Sequence, residues 1–148
     1  MSSYRQLLYH LVFRTRDSLP TINQEFAGQL YSYINGIVRN KNCHLYRVNG
    51  TEDHLHLLTD IHPSIALADF MREMKVATSM WMKANGLFPA FTGWADRYGA
   101  FTCSYPDAGR VIEYITSQQE HHKKHKFEEE YRKLLIESGI RIDEQYFP

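Results

Sequence analysis

Glu52-Asp53-His54-Leu55-His56-Leu57-Leu58 is the stretch on which the reading of this chain turns. It has the make-up of a short strand. Side chains alternate faces along a strand, so Leu55 and Leu57 enter a core while His54 and His56 stand together on the opposite face. Two imidazoles at i and i+2 form a ready pair of metal ligands. Taken alone, the pair favours two ordinary surface histidines on a half-buried strand.

Working outward, His44 to Asn49 reads as a second strand, and the short Gly50-Thr51 connection makes the two an antiparallel hairpin. Before it, Phe26, Leu30, Ile34, Ile37 and Val38 recur at helical spacing to about Asn42. Thr21 and Gln24 have capping-box spacing, with Asn23 as a competing cap. Gln6 to Thr15 alternates, with Leu7, Tyr9, Leu11 and Phe13 on one face and Leu8, His10, Val12 and Arg14 on the other. Both faces are mostly apolar, as in an inner strand, and His10 reads as a packed strand histidine.

After the histidine strand, His62-Pro63 is a stop and Ser64 is the expected cap of a helix with Phe70, Met74, Ala77 and Trp81 on its apolar stripe and Gly86 at its end. From Phe88 to Pro106 the chain is rich in glycine, proline and aromatics. Ala100 to Ser104 is a short strand there, approached by an ordered loop from Trp94 to Gly99. Ser104 or Asp107 caps a third helix that runs to about Lys126, packed through Val111, Ile112 and Ile115. A break near His125 to Phe127 precedes a last helix with Phe127, Tyr131, Leu134 and Leu135 apolar and Gly139 as its stop. The order β-α-β-β-α-β-α-α predicts one α+β domain over residues 1–148, a ferredoxin-like antiparallel sheet with two helices packed on one face. That fold class hosts RNA-binding modules, small enzymes and nickases alike, so function has to be argued from a site.

The chain has 148 residues, 43% hydrophobic and 23% charged, the balance of a soluble globular domain. No apolar run reaches the length of a membrane span, and the N-terminus lacks a signal-peptide pattern. Cys43 and Cys103 are far apart and form no CxxC motif, so a reduced, cytoplasmic protein is expected. A formal net charge of zero argues against a sequence-independent coat for duplex DNA but leaves room for a local basic groove. Arg14 and Arg16 at the end of the first strand, and Lys123 and Lys124 in the run His121 to Lys126, are candidate phosphate contacts; solvated surface charge is the competing reading.

Tyr114 and Gln118 are four residues apart on the third helix, hence on one face and one turn apart. A phenol with a pKa near ~10 is a poor nucleophile at neutral pH. It becomes useful where a metal or a base lowers the cost of the phenolate. Tyr114 stands out among ten tyrosines because a polar cluster one turn later could complete a histidine-based metal site.

Together these segments resemble a known family. His54-Leu55-His56 after an acidic turn is similar to the His-hydrophobe-His motif of HUH single-strand nucleases, and Val111-Ile112-Glu113-Tyr114-Ile115-Thr116-Ser117-Gln118 resembles the tyrosine helix of single-tyrosine transposases of the IS200/IS605 kind. Tyr9-His10-Leu11-Val12-Phe13-Arg14-Thr15 and Tyr98-Gly99-Ala100-Phe101 resemble the same family, in the same order. The resemblance implies an HUH-type fold, Tyr114 as nucleophile, and His54, His56 and Gln118 as ligands of a divalent metal, Mg²⁺ or Mn²⁺. It implies single-stranded DNA carrying hairpins as substrate, a covalent 5′-phosphotyrosine intermediate with a released 3′ hydroxyl, and a homodimer. The tyrosine helix then serves either its own or its partner's metal site. Relatives that act on repeated chromosomal palindromes, the REP-associated tyrosine transposases, fit the sequence equally well.

Several alternatives stay open. His121 or His122 could replace Gln118 as ligand, and Asp53 either orients an imidazole or only shapes the turn. A non-catalytic module for single strands or hairpins would be favoured by stacking rings on the sheet face, which the histidine strand lacks. A zinc hydrolase would need more than two close histidines and shows no HExxH motif.

Overall fold

A computed structural model describes residues 3–147; Met1, Ser2 and Pro148, which the single-domain expectation included, lie outside the described residues. The elements are β1 (Leu8–Thr15), α1 (Ala27–Asn40), β2 (Leu45–Gly50), β3 (His54–Asp60), α2 (Leu67–Ala84), β4 (Trp94–Cys103), α3 (Ala108–Thr116), α4 (Gln118–Lys124) and α5 (Phe127–Glu137). The four strands form one antiparallel sheet in the order β2-β3-β1-β4. This is the expected α+β architecture.

The two apolar faces of β1 are explained by two layers of helices. Leu11 pairs with Leu57 and Phe13 with Leu55 across the β1–β3 ladder. These side chains join Leu30, Ile34 and Val38 of α1 and Phe70 and Met74 of α2 in the main core. Burying each such side chain stabilises the fold by roughly 1.5–3 kcal/mol, so β3 is held firmly from this side. On the other face, Leu8 and Leu58 pack against Ala108 and Ile115 of α3, while Val12 and Phe101 pack against Phe127 of α5. Helices α1 and α2 are the two expected on one face, and the C-terminal helices add a layer on the other. No helix among the described residues is long and apolar enough to cross a membrane.

Four local expectations need correction. Trp94 to Gly99 is strand rather than loop: β4 starts at Trp94, which pairs with Thr15 beyond an irregularity in the ladder. Gly99 made this segment look like a loop. It lies opposite Val12, and a Cβ there would come within 2.7 Å of the Tyr131 hydroxyl of α5; a glycine inside a strand often marks such a close approach. Neither proposed capping box nor cap forms at α1 and α2. α1 starts after Phe26, with Thr21 bonded to the Leu19 carbonyl and Asn23 accepting from the Glu25 N–H. α2 starts after Ala66, and the Ser64 hydroxyl pairs with His62 Nδ1 at 2.6 Å.

The fourth correction bears on the site. The third helix does not run unbroken to Lys126; it stops at Thr116, and α4 begins at Gln118. Thr116 and Ser117 turn their hydroxyls back onto the carbonyls of Ile112 and Glu113, at 2.8 and 3.0 Å, a competition known to bend helices. Asn49 Nδ2 donates to the Ile115 and Thr116 carbonyls at 3.0 and 3.1 Å, capping the end of α3 from the neighbouring strand.

Candidate active site

The sharp turn before β3 sets the histidines in place. Gly50 pairs with Leu55, and the Thr51 N–H donates to the His54 carbonyl at 2.9 Å. A Cβ on Gly50 would collide with that carbonyl at 2.1 Å, so only glycine permits this approach. His54 and His56 then share a face, as the alternation requires, with ring centroids 5.2 Å apart. They are not surface histidines: His54 is 0% and His56 1% exposed, because α3, α4 and α5 cover their face.

Each imidazole has its Nδ1 engaged. His54 Nδ1 lies 2.6 Å from Asp53 Oδ1, which also accepts from the Thr51 hydroxyl at 2.9 Å. Burial pushes the Asp53 carboxyl up, but the bond to His54, its charge and the Thr51 hydroxyl outweigh this and leave it below the usual carboxylate range. An ionised carboxylate only accepts, so His54 keeps a proton on Nδ1 toward Asp53 and turns Nε2 into the site. Asp53 thus orients an imidazole as well as shaping the turn. His56 Nδ1 lies 2.8 Å from His10 Nε2. Burial, then the neighbouring His56, takes His10 down to about 3 against a smaller upward pull from Glu130, so His10 is neutral and can accept the His56 Nδ1 proton.

Both Nε2 atoms therefore face one spot. Gln118 Oε1 stands 3.0 Å from His54 Nε2. Glu130, on α5, places Oε1 3.0 Å from His56 Nε2 and Oε2 3.7 Å from His54 Nε2. The His56–Glu130 approach is close without hydrogen-bond alignment, and both His56 Nε2 and Glu130 Oε2 are buried with no hydrogen-bond partner. Burial raises the Glu130 carboxyl, but His56, Tyr114 and His54 outweigh it and bring it to about 2. His54, His56 and Glu130 form a group able to hold a metal ion, with ligand atoms all within 4.8 Å of one another.

Tyr114 completes the arrangement. Its hydroxyl donates to Glu130 Oε1, and its ring lies 5.7 Å from that of His56 and 4.9 Å from that of His121. Burial, then the charge of Glu130, pushes the phenol well above its ordinary value. The tyrosine opens onto a cleft of about 760 Å³, lined also by His10, Arg110, His121, Glu130 and Lys133.

Of the residues singled out in the sequence, the structure brings His54, His56, Gln118 and Tyr114 together within a single chain. His121 packs on the Tyr114 ring, whereas His122 lies on the Asp53 side of His54 and pairs with Glu52 at 2.8 Å; Gln118 is the one that meets His54 Nε2. Arg14 and Arg16 line a separate cleft of about 460 Å³, with Trp94, Tyr98 and Tyr131, which contains neither histidine. Lys123 and Lys124 are exposed on α4 and line neither cleft. Glu130 was missed. Its signal lies in the spacing: Phe127, Glu130, Tyr131 and Leu134 fall at i, i+3, i+4 and i+7, which puts a carboxylate on the apolar stripe of α5.

Residues 3–118 match the family described as Transposase IS200 like. Among solved structures, the chain is similar to a candidate transposase from Deinococcus radiodurans R1, at 23% identity and a TM-score of 0.62, over 80% of this chain and 95% of that one. It is also similar to a REP-associated tyrosine transposase bound to a REP hairpin, at 15% identity and a TM-score of 0.61, over 82% of this chain and 74% of that one. At these identities the two structures speak for the fold. No curated protein matches the chain.

Proposed function

The chain belongs to the IS200-like transposase family, and from that premise we propose that it cuts and rejoins single-stranded DNA through Tyr114. The observation that carries this reading is the convergence, inside one chain, of the Tyr114 hydroxyl and both histidine Nε2 atoms on a single buried spot. Tyr114 Oη bonds to the scissile phosphorus as the bond from phosphorus to the 3′ oxygen breaks. The proton that the tyrosine gives up is matched by the one the released 3′ oxygen gains; at the outset it sits on the Tyr114 hydroxyl, which donates to Glu130 Oε1. The phosphodiester energy is kept in the 5′-phosphotyrosine, so attack by another 3′ hydroxyl reverses the step and joins strands.

The donor set fits a divalent cation. His54 Nε2 and Gln118 Oε1 stand 3.0 Å apart at the buried spot that His56 Nε2 also faces. A cation satisfies both, together with the unpartnered His56 Nε2. His54, His56 and Gln118 would hold it; two imidazoles with an amide oxygen suit Mn²⁺ somewhat better than Mg²⁺. When bound, it supplies positive charge that polarises the non-bridging oxygens of the scissile phosphate. Asp53 and His10 keep the two imidazoles oriented, and the covering helices keep water from the buried side of the site.

The substrate we propose is a single strand carrying a hairpin. The solved relative bound to a REP hairpin supports that class, and with it action on chromosomal palindromes as well as on element ends. Arg14, Arg16, Lys123 and Lys124 are the proposed phosphate contacts. A homodimer remains part of the proposal from family resemblance, although Tyr114 already stands beside the histidines of its own chain. The test is to incubate the protein with hairpin-bearing single strands and Mn²⁺ and look for a covalent protein–DNA adduct on a denaturing gel. Wild type should form it and Tyr114→Phe should not. No adduct with wild type, or an undiminished one with Tyr114→Phe, overturns the reading.

A further inference from the structure

The family match ends at Gln118, yet α5, which begins nine residues later at Phe127, delivers a carboxylate to the centre of the site. The Glu130 side chain is only 8% exposed. A buried ionised carboxylate is costly unless it is paired and hydrogen-bonded. One oxygen is accounted for, since Oε1 accepts from Tyr114 and approaches His56 Nε2. The other is not: Oε2 is buried, without a hydrogen-bond partner, and faces His54 Nε2 at 3.7 Å.

Resting on the cation reading above, we infer that Glu130 is itself a ligand of the divalent cation, so that this chain closes its metal site with a carboxylate from its C-terminal helix. Two donors each ~2.1 Å from one ion lie about 3–4 Å apart. The separations of 3.0 Å for His54–Gln118, 3.0 Å for His56–Glu130 and 3.7 Å for His54–Glu130 all fall in that span. The charge argument agrees. Imidazoles and an amide are neutral ligands, whereas Mg²⁺ and Mn²⁺ favour oxygen donors and gain most from an anionic one. The geometry also ties nucleophile to metal seat, because the carboxylate that would ligate through Oε2 holds the Tyr114 hydroxyl through Oε1.

The experiment measures Mn²⁺ binding to the full chain without DNA, by calorimetry and by the electron paramagnetic resonance signal of free Mn²⁺. Glu130→Gln should weaken binding tenfold or more. Glu129→Gln, on the same cleft but outside the histidine cluster, should bind as wild type does. If Glu130→Gln binds Mn²⁺ like wild type while His54→Ala loses it, the inference falls and the cation reading stands. If His54→Ala and His56→Ala also bind like wild type, both fall. Should Glu130→Gln not fold, as judged by circular dichroism, anomalous scattering from Mn²⁺-soaked wild-type crystals reads the same contact. Glu130 within coordination distance supports the inference, and Mn²⁺ on the histidines with Glu130 turned away overturns it.

Discussion

His10 should make the metal-free protein sensitive to mild acid, and the size of the effect follows from its burial. The residue is 5% exposed and its imidazole is brought from the ordinary 6.5 to about 3. Folded protein keeps His10 neutral while the unfolded chain protonates it below 6.5. The unfolded state therefore binds more protons throughout the interval, and stability falls as pH falls. The contribution of neutral His10 is complete above 6.5 and is lost progressively toward 3. Between pH 6.5 and 4.5 this amounts to about 3 kcal/mol, at 1.36 kcal/mol per pH unit, a large part of a typical stability of roughly 5–15 kcal/mol. His10→Gln removes the titrating group and leaves an amide that can still accept from His56. Urea unfolding followed by tryptophan fluorescence, with chelator present, should show wild type losing about 3 kcal/mol more than the variant between pH 7.5 and 4.5. Carboxylates elsewhere titrate in both proteins and cancel. Parallel losses in the two would refute the claim that His10 is held neutral against His56.

Two further outcomes are expected. Asp53→Asn should lower Mn²⁺ affinity by roughly 10- to 100-fold, because the partner that fixes the His54 tautomer is weakened; calorimetry giving the wild-type affinity would mean that Asp53 only shapes the turn. Replacing Arg14 and Arg16 together by Gln should weaken single-strand binding for all sequences and reduce the salt dependence by about 0.7 in slope for each phosphate no longer neutralised. An unchanged slope, measured by fluorescence anisotropy across salt concentrations, would return these arginines to plain surface charge.

Local pattern carried most of the fold. Alternation placed β1 and the histidine strand, helical spacing placed the bodies of α1 and α2, and the short Gly50-Thr51 connection gave the β2–β3 hairpin. The errors fell where distant parts of the chain decide. Gly99 reads as loop until Tyr131 is seen against it, and His54 and His56 read as exposed because the helices that bury them come more than fifty residues later. Glu130 was overlooked for the same reason. A carboxylate next to Glu128 and Glu129 looks like solvated charge, and only its position on the Phe127–Leu134 stripe betrays that it points inward.

The break after Thr116 shows how the site holds its dimensions. Asn49 lies directly opposite His56 across the β2–β3 ladder, so the two side chains share a face. From there Asn49 clamps the last carbonyls of α3, and Gln119 at the start of α4 returns two bonds, to Asn49 Oδ1 at 2.8 Å and to the Gly50 carbonyl at 2.9 Å. The hairpin register that sets His56 therefore also sets where α3 ends, which places Tyr114 one turn before the break and Gln118 at the first residue after it. A one-residue slip would turn the histidines toward the α1–α2 core and carry Asn49 away from α3. The leucines that alternate with the histidines oppose that slip, since Leu55 and Leu57 are fully buried in the core on the far side. The spacing between nucleophile and metal ligands is thus fixed by strand pairing, and the tight Gly50 turn is what fixes the pairing.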